Sequence, residues 1–331
     1  MTTTTKQNDL PKPTKDLSRA KADLDGFGYC LLANALKTDE IVALRTRLEE
    51  QATAEKQHGF AFEDGGANQN WGEFRNPDGS LKQEAFTEAN GGVNQRVWML
   101  VNKGKIFCDL LFHAEVRELV AHLLGDDYLL SSHTANIAKP GGVAMKLHTD
   151  QWWMPAPTRR ERKPLPVGSM NRQRFDIDEA GSPTMIAPAV VANVLWLLCD
   201  FTPEIGGTRL VPRSHLTGRQ PISEGDQDVE TIAATAPAGS ALLLDGRTWH
   251  GTGANVSDKL RWAVLTTFCG PQFRPQENFT VGTAQEVLEE ASPELLALLG
   301  FKIWNAYGRV ESPAVEFIKP GETSLREMRP K

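Results

Sequence analysis

The chain has 331 residues, of which 40% are hydrophobic and 24% are charged. This composition is ordinary for a globular protein, and the length is sufficient to bury a large core. The 36 basic and 42 acidic side chains give a net charge of −6, which argues against a nucleic-acid partner because such proteins carry a basic surplus. No apolar run reaches about 18 residues, so we expect neither a transmembrane helix nor a membrane partner.

The beginning of the sequence, 1–15, is polar and contains the run Thr2 to Thr5. It predicts a disordered tail in front of one domain over 16–331. It also lacks the apolar core of a secretory signal. The four cysteines are widely spaced, which indicates reduced thiols in a cytoplasmic protein and no disulfide or zinc–thiolate site. The sequence makes no prediction of the oligomeric state.

The first part of the domain predicts one strand and two helical zones. The strand is expected at 28–36, and a helix capped by Thr38 follows it, with apolar residues at helical spacing. The stretch 57–95 is rich in Gly, Asn, Asp and Glu and indicates a long loop region. The second helical zone covers 103–124 and ends at Gly125, a residue type that favours helix C-termini.

From Tyr128 onward, short β-rich runs are separated by Pro and Gly. Because no amphipathic helix lies between them, they predict a mainly β protein with an antiparallel sandwich or barrel. A long insertion at 155–188 interrupts these runs and indicates a lid or a substrate-binding element. A last helix is expected at 284–299. The predicted strands are 128–138, 143–148, 190–199, 208–211, 240–244 and 261–268.

Two residues in the second of these runs have the types and spacing of metal ligands. His148 and Asp150 are two positions apart, so in an extended strand they project to the same side. An imidazole nitrogen and a carboxylate oxygen on one side make half of a metal site. Taken alone, a His-x-Asp pair is more often a pair of surface residues.

Two more residues complete a pattern. His250 ends an apolar strand before a Gly-rich turn, and Arg261 begins the strand that follows. Taken alone, His250 would be explained as a packed histidine, and Arg261 as one partner of a structural ion pair. Together with His148 and Asp150, however, they match the two-histidine, one-carboxylate set that binds Fe(II) and leaves positions open. An arginine fork would then bind the far carboxylate of a 2-oxo acid.

The sequence is similar to the phytanoyl-CoA dioxygenase family of Fe(II)/2-oxoglutarate-dependent oxygenases. The similarity includes the Gly-Phe-Gly-Tyr run at 26–29, His148-x-Asp150, His250-Gly-Thr-Gly and Arg261. Its most diagnostic part is the segment at 200–215, Asp-Phe-Thr-Pro-Glu-Ile-Gly-Gly-Thr-Arg-Leu-Val-Pro-Arg-Ser-His. The family usually has Gly in the place of Arg213, so an altered turn is expected there.

The resemblance implies a double-stranded β-helix, a jelly-roll barrel with flanking helices. It also implies that His148, Asp150 and His250 bind Fe(II), that O2 is consumed, and that Arg261 and Thr208 hold the cosubstrate 2-oxoglutarate. Several relatives have a cosubstrate-binding Gln where this chain has Met145, and Asn136 is the candidate replacement amide. The carboxylate of Asp150 argues against a halogenase, because halogenases of this kind lack it.

The expected reaction is oxidation of an unactivated C–H of a small, largely apolar metabolite, with release of succinate and CO2. Hydroxylation, desaturation and ring closure remain open. Candidate residues of the substrate pocket are Met145, Trp152, Trp153 and Trp196, and the basic residues at 159–174 could meet an anionic group. Two alternatives stay open: a cupin-type metal-dependent isomerase or hydrolase, and a ligand-binding barrel without catalysis.

Overall fold

The computed structural model describes residues 10–64, 78, 80, 94–154, 166–170, 186–221, 224–311, 315–318, 320 and 327–330. The strands are β1 (Tyr29–Leu32), β2 (Phe62–Asp64), β3 (Asn94–Val97), β4 (Leu129–Ala138), β5 (Val191–Leu197), β6 (Arg209–Leu210), β7 (Ile232–Ala233), β8 (Ala241–Asp245), β9 (His250–Gly251) and β10 (Arg261–Cys269). The α-helices are α1 (Leu17–Phe27), α2 (Thr38–Gln57), α3 (Lys105–Leu110), α4 (Ala114–Leu124), α5 (Glu224–Gln227), α6 (Phe279–Gly282), α7 (Gln285–Glu290) and α8 (Pro293–Leu298).

Two antiparallel sheets make up the described β structure. The larger has seven strands in the order β1-β8-β5-β10-β4-β3-β2, and the smaller has three in the order β7-β6-β9. Several neighbours in space are distant in sequence, such as β1 and β8 or β10 and β4, so the chain crosses between the layers as in a jelly roll. The predicted class, mainly β with flanking helices, is confirmed.

The large sheet separates two environments because side chains alternate along each strand. On β10, Trp262 and Val264 belong to the main hydrophobic core on the helical side, which also contains Leu44 of α2 and Leu119 of α4. Ala263 lies on the opposite side and belongs to a second cluster that includes Leu210 of the small sheet. The space between the two sheets is therefore the place where a site can form.

The helix ends follow the local chemistry, with one difference from expectation. The N-cap of α2 is Lys37 and not Thr38, because the backbone N–H of Lys37 donates to the Glu40 carboxylate at 2.7 Å. Gly125 ends α4 with φ of 88°, and its N–H donates to Ala121, as its residue type predicts.

Two predicted helices are each divided in two. Within 103–124, α3 ends at Leu110 and α4 begins after His113, whose Nδ1 accepts a 3.4 Å hydrogen bond from the N–H of Val116. Within 284–299, α8 begins at Pro293, a residue that has no N–H and suits the first helical position. The sequence analysis missed α1, whose N-cap is the Asp16 carboxylate.

Two further predictions differ from the structure. The run 143–148 is not a strand. Its one ladder contact is the bridge between His148 and His250. Its other backbone groups bond mainly to side chains and loops, and the carbonyl of Met145 accepts from the side chain of Arg209 on β6. Part of the predicted tail is ordered, since Thr14 exchanges backbone hydrogen bonds with Leu31 and Ala33 along β1. Residues 1–9 lie outside the described residues, as do 155–165 and 171–185 of the insertion.

Candidate functional site

Three potential metal ligands, the neighbouring His148 and Asp150 and the distant His250, lie together between the sheets. His148 and His250 exchange backbone hydrogen bonds of 2.9 Å in both directions, which places their imidazoles side by side with ring centroids 4.5 Å apart. Asp150 follows in the adjoining turn. One ligand atom from each of these three residues lies within 4.8 Å of the other two. The structure therefore brings together the three residues that the sequence predicts as ligands.

Backbone carbonyls orient both imidazoles in the same way. Nδ1 of His148 lies 3.0 Å from the carbonyl of Lys146, and Nδ1 of His250 lies 2.9 Å from that of Thr248. Because a carbonyl only accepts, each Nδ1 carries the proton and each Nε2 keeps a lone pair. This tautomer is the one that a histidine needs to bind a metal through Nε2. A hydrogen bond from the other ring nitrogen to a carbonyl is typical of metal-binding histidines.

A buried amide holds the carboxylate of Asp150. Asn193 Nδ2 on β5 donates to Asp150 Oδ2 at 2.6 Å, and Thr267 Oγ1 on β10 donates to Asn193 Oδ1 at 2.8 Å. The same Oδ2 lies 3.2 Å from His250 Nε2, while Oδ1 lies 3.7 Å from His148 Nε2. Thus the large sheet positions the acidic residue, and the small sheet positions the histidines.

Arg261 supplies a buried positive charge on the same side of the large sheet. It is 1% exposed, donates from Nη1 to the carbonyl of Gly206 at 2.6 Å, and lies over the ring of Phe201. Burial, which the nearby Arg96 reinforces, lowers the pKa of Arg261 to about 10, so it remains charged at neutral pH. Its Nε has no hydrogen-bond partner among the described residues. A buried guanidinium in this situation favours an anionic ligand.

A cavity of about 320 Å³ contains all four of these residues. A volume of this size is typical of small-molecule sites. Its walls combine aromatic, aliphatic and polar side chains with three arginines. The other lining residues are Arg96, Trp98, Ser131, Ser132, Thr134, Asn136, Met145, Trp152, Trp153, Val191, Asn193, Leu195, Thr208, Gly251, Thr252, Leu265, Thr267, Arg274 and Gln276.

Most of the predicted binding residues line this cavity. Thr208, Asn136 and Met145 do so, as do Trp152 and Trp153. Asn136 is buried, and its Oδ1 has no hydrogen-bond partner among the described residues. It is therefore placed to bind a polar ligand group, as predicted for a replacement amide.

Trp196 is a wrong prediction for the substrate pocket. It lies on the helical side of β5, where its Nε1 donates to Thr266 Oγ1 at 3.1 Å and its ring packs edge-on against His113. The cause is strand alternation: Asn193 and Leu195 face the cavity, so the intervening and following positions face the helices.

The sequence analysis missed several cavity residues. The most informative is Asn193, a single polar residue within the apolar strand β5, and this contrast was its available signal. Arg96 on β3 lies one residue beyond the predicted loop region 57–95, where the sequence analysis expected no strand. The others are Trp98, Arg274 and Gln276.

The diagnostic segment at 200–215 contains Thr208, which lines the cavity, and residues that pack outside it. Arg213 has a φ of 69°, which is the left-handed conformation that glycine adopts at no steric cost, so this turn places a non-glycine residue where glycine is less strained. The guanidinium of Arg213 packs over Phe27. His215 Nε2 lies 3.1 Å from the carbonyl of Asp25, which is a structural contact and not a metal-site contact.

Comparison with known proteins adds independent information. A family profile described as Phytanoyl-CoA dioxygenase (PhyH) matches residues 24–263. The chain is 31% identical over 210 residues to dioxygenase af480 of Aspergillus fumigatus, covering 62% of this chain and 59% of that protein. It is 36% identical over 225 residues to dioxygenase andF of Emericella variicolor, covering 66% and 67% of the two chains.

A solved structure is also similar. It is the epimerase SnoN from nogalamycin biosynthesis, in complex with Fe3+, alpha ketoglutarate and nogalamycin RO. The TM-score is 0.53 and the identity 19%, covering 81% of this chain and 91% of the other. This likeness supports the predicted double-stranded β-helix. Among the described residues, no helix has both the length and the apolar character needed to cross a membrane.

Proposed function

The chain belongs to the phytanoyl-CoA dioxygenase family, and on that basis we propose that it is a non-haem Fe(II)/2-oxoglutarate-dependent dioxygenase. Its proposed reaction is oxidation, most simply hydroxylation, of an unactivated C–H of a small and largely apolar metabolite, with release of succinate and CO2. The observation that carries this proposal is the convergence of His148, Asp150 and His250 in one cavity with the buried Arg261.

The donor set fits Fe(II). Two neutral imidazoles and one carboxylate are typical of non-haem iron oxygenases, which keep the remaining coordination positions open. The orientation of both Nε2 atoms and the hydrogen bond from Asn193 to Asp150 provide the outer contacts that such ligands usually have. Bound iron supplies the activation of O2 and of the 2-oxo acid. The protein's part is to hold the reactants and to exclude water.

The surroundings of Arg261 fit 2-oxoglutarate. In the proposal, the far carboxylate of the cosubstrate accepts hydrogen bonds from the guanidinium of Arg261, whose Nε has no partner among the described residues. Thr208 and Asn136 also line this cavity and are the proposed additional polar contacts. Arg96 adds a second positive charge, which favours a ligand with two carboxylates.

The walls of the cavity favour a largely apolar substrate with a few polar groups. Trp98, Trp152 and Trp153 provide aromatic surface, and Leu265 provides aliphatic surface. Arg274 and Gln276 lie at the exposed side and provide polar contacts. The finer outcome of the reaction depends on which substrate atom these walls place near the metal.

Anaerobic titration tests the proposal without knowledge of the substrate. Fe(II) is added to the metal-free full-length chain and 2-oxoglutarate follows. A weak visible charge-transfer band is expected, because the keto acid binds directly to Fe(II). His148→Ala and Asp150→Ala should each abolish the band. Their matched control is His122→Ala, a partly exposed histidine at the end of α4 that pairs with Asp25.

Three outcomes separate the possible functions. A band followed by succinate release on admission of air supports the oxygenase. Metal binding without a band would favour the isomerase or hydrolase alternative. If neither metal nor 2-oxoglutarate binds the wild type, the chain is not an oxygenase of this class. If the first outcome is observed, a panel of metabolites tested for succinate release would identify the substrate.

A further inference from the structure

The edge of β4 loses its neighbouring strand halfway along its length. Strand β3 pairs with β4 from Asn94 opposite Ala138 to Val97 opposite Ala135. After Val97 the chain leaves β4, and Met99 adopts a left-handed backbone conformation with φ of 52°. The N–H groups of His133 and Met99 therefore need acceptors that β3 does not supply, because buried backbone donors are almost always paired.

The carboxylate of Glu277 accepts from both of these groups. Its Oε1 accepts from the N–H of Met99 at 2.7 Å, and its Oε2 accepts from the N–H of His133 at 2.6 Å. Its own backbone N–H donates to the carbonyl of Ser131 at 2.8 Å. One residue thus joins the segment after β3, the edge of β4 and the segment after β10.

Each of these three segments contributes residues to the cavity that contains His148 and Asp150. Trp98 precedes Met99, Ser131 and Ser132 precede His133, and Gln276 precedes Glu277, and all four line the cavity. The N–H of Gln276 also donates to Ser131 Oγ at 3.1 Å. Glu277 is itself buried and does not line the cavity, so it lies behind this part of the wall.

We propose that Glu277 is a positioning residue that fixes the substrate-facing wall of the cavity by replacing the missing strand at the edge of β4. The description of this wall as substrate-facing rests on the proposed function. Movement of Glu277 would shift Trp98 and Gln276 relative to the metal ligands and so change which substrate atom is presented.

The carboxylate of Glu277 is buried at a cost in free energy, which supports a specific role for this residue. Burial raises the pKa of Glu277 to about 7, although the two backbone donors act in the opposite direction. An apolar residue would avoid this cost but would leave two buried N–H groups unpaired. Glutamine has nearly the same shape but only one side-chain acceptor oxygen, and its NH2 group would face one of the two donors.

Amide hydrogen exchange on the full-length protein tests this role with the variant Glu277→Gln. Above the pKa of Glu277, exchange at one of the two N–H groups, that of Met99 or that of His133, should become about 10-fold faster or more, because that group loses its charged acceptor and faces the NH2 of the glutamine. Exchange in the centres of β5 and β10 should be unchanged. The matched control is Glu289→Gln on α7, an exposed residue whose side chain accepts a hydrogen bond from Gln285.

A fluorescence measurement reports on the wall itself. Trp98→Phe is introduced into the wild type and into Glu277→Gln, and the difference within each pair isolates the emission of Trp98. In the Glu277→Gln background, quenching of this emission by acrylamide should increase, because the segment that carries Trp98 is held less firmly. The charge-transfer band with Fe(II) and 2-oxoglutarate should be retained, since the metal ligands are untouched.

The proposal is overturned if the protection of Met99 and His133 is unchanged, or if exchange rises equally in β5 and β10, since the residue would then support only global stability. Should Glu277→Gln not fold, Ser131→Ala removes the bond to the N–H of Gln276, together with a side-chain hydrogen bond to the thiol of Cys269. Faster exchange at Gln276 alone is then expected, and unchanged exchange there contradicts the proposal. Absence of the band in the wild type would reject the oxygenase function while leaving the exchange result interpretable.

Discussion

Asn193 and Asp150 are joined by a 2.6 Å hydrogen bond from the amide Nδ2 to the carboxylate Oδ2. The bond connects the large sheet to the turn that carries the acidic candidate ligand. Asn193 is buried, and its own Oδ1 accepts from Thr267, so the amide cannot rotate without losing a second bond. The carboxylate is therefore oriented before any ion arrives, which is the usual role of residues behind metal ligands.

Replacement of Asn193 by Leu should weaken Fe(II) binding by about 10-fold or more, because the carboxylate loses the donor that orients it. Anaerobic calorimetry of the full-length chain with Fe(II) measures this effect. Thr267→Val is the matched comparison, since it removes only the bond behind Asn193, and a smaller effect is expected. Equal Fe(II) affinity in the wild type and Asn193→Leu would show that the bond does not contribute to metal binding.

Replacement of Arg261 by Lys should mainly weaken 2-oxoglutarate binding. A lysine keeps the charge but cannot form two parallel hydrogen bonds with a carboxylate, so the dissociation constant should rise about 10-fold or more. Titration of the charge-transfer band with 2-oxoglutarate at saturating Fe(II) gives this constant. Affinity for Fe(II) should not change. Arg117→Lys on α4, outside the cavity, is the control, and a similar loss in both variants would contradict the role of Arg261.

The sequence predicted the candidate metal ligands because their types and order are informative without knowledge of the fold. The same holds for Arg261, a charged residue at the start of an apolar strand. Asn193 could not be assigned in this way. Its role depends on the strand register, which sets it opposite Thr267, and on a turn that places Asp150 within reach. Both are properties of the folded chain.

The run 143–148 shows a second limit of sequence reasoning. Its composition suggests a strand, yet only His148 has a ladder partner. The N–H of Met145 donates to Thr252 after β9, and the backbone of Leu147 bonds to the side chain of Gln227. A strand is defined by its partners, and partners distant in sequence are not visible in a local pattern. The side chains of His148 and Asp150 nevertheless lie close together, as the spacing of two residues predicts.

The misassigned Trp196 gives a further prediction. Replacement by Phe removes the hydrogen bond to Thr266 and part of the packing against His113. The free energy of unfolding should fall by about 1–2 kcal/mol, measured by urea denaturation. The charge-transfer band with Fe(II) and 2-oxoglutarate should be unchanged. A shifted or weakened band with unchanged stability would return Trp196 to the pocket.

His133 and Glu277 are neighbours whose effects on stability have opposite dependence on pH. Burial lowers the pKa of His133 to about 4, and its nitrogens lie 3.0 Å from Thr266 Oγ1 and from the carbonyl of Phe107. Because this folded-state pKa lies below the unfolded value near 6.5, its contribution to stability is lost as pH falls from about 6.5 towards 4. For Glu277 the folded-state pKa of about 7 lies above the unfolded value, so its contribution is lost as pH rises through about 7.

Between pH 7 and pH 5 the two contributions should nearly cancel in the wild type, since each changes by about 2 kcal/mol in opposite directions. His133→Gln keeps a donor and an acceptor but does not titrate. Its free energy of unfolding should therefore rise on acidification from pH 7 to pH 5 by about 2 kcal/mol more than that of the wild type. Glu277→Gln should show the reverse, a larger loss at pH 5. Urea denaturation at the two pH values measures both differences, and parallel pH dependence in all three proteins would show that neither group titrates as its burial requires.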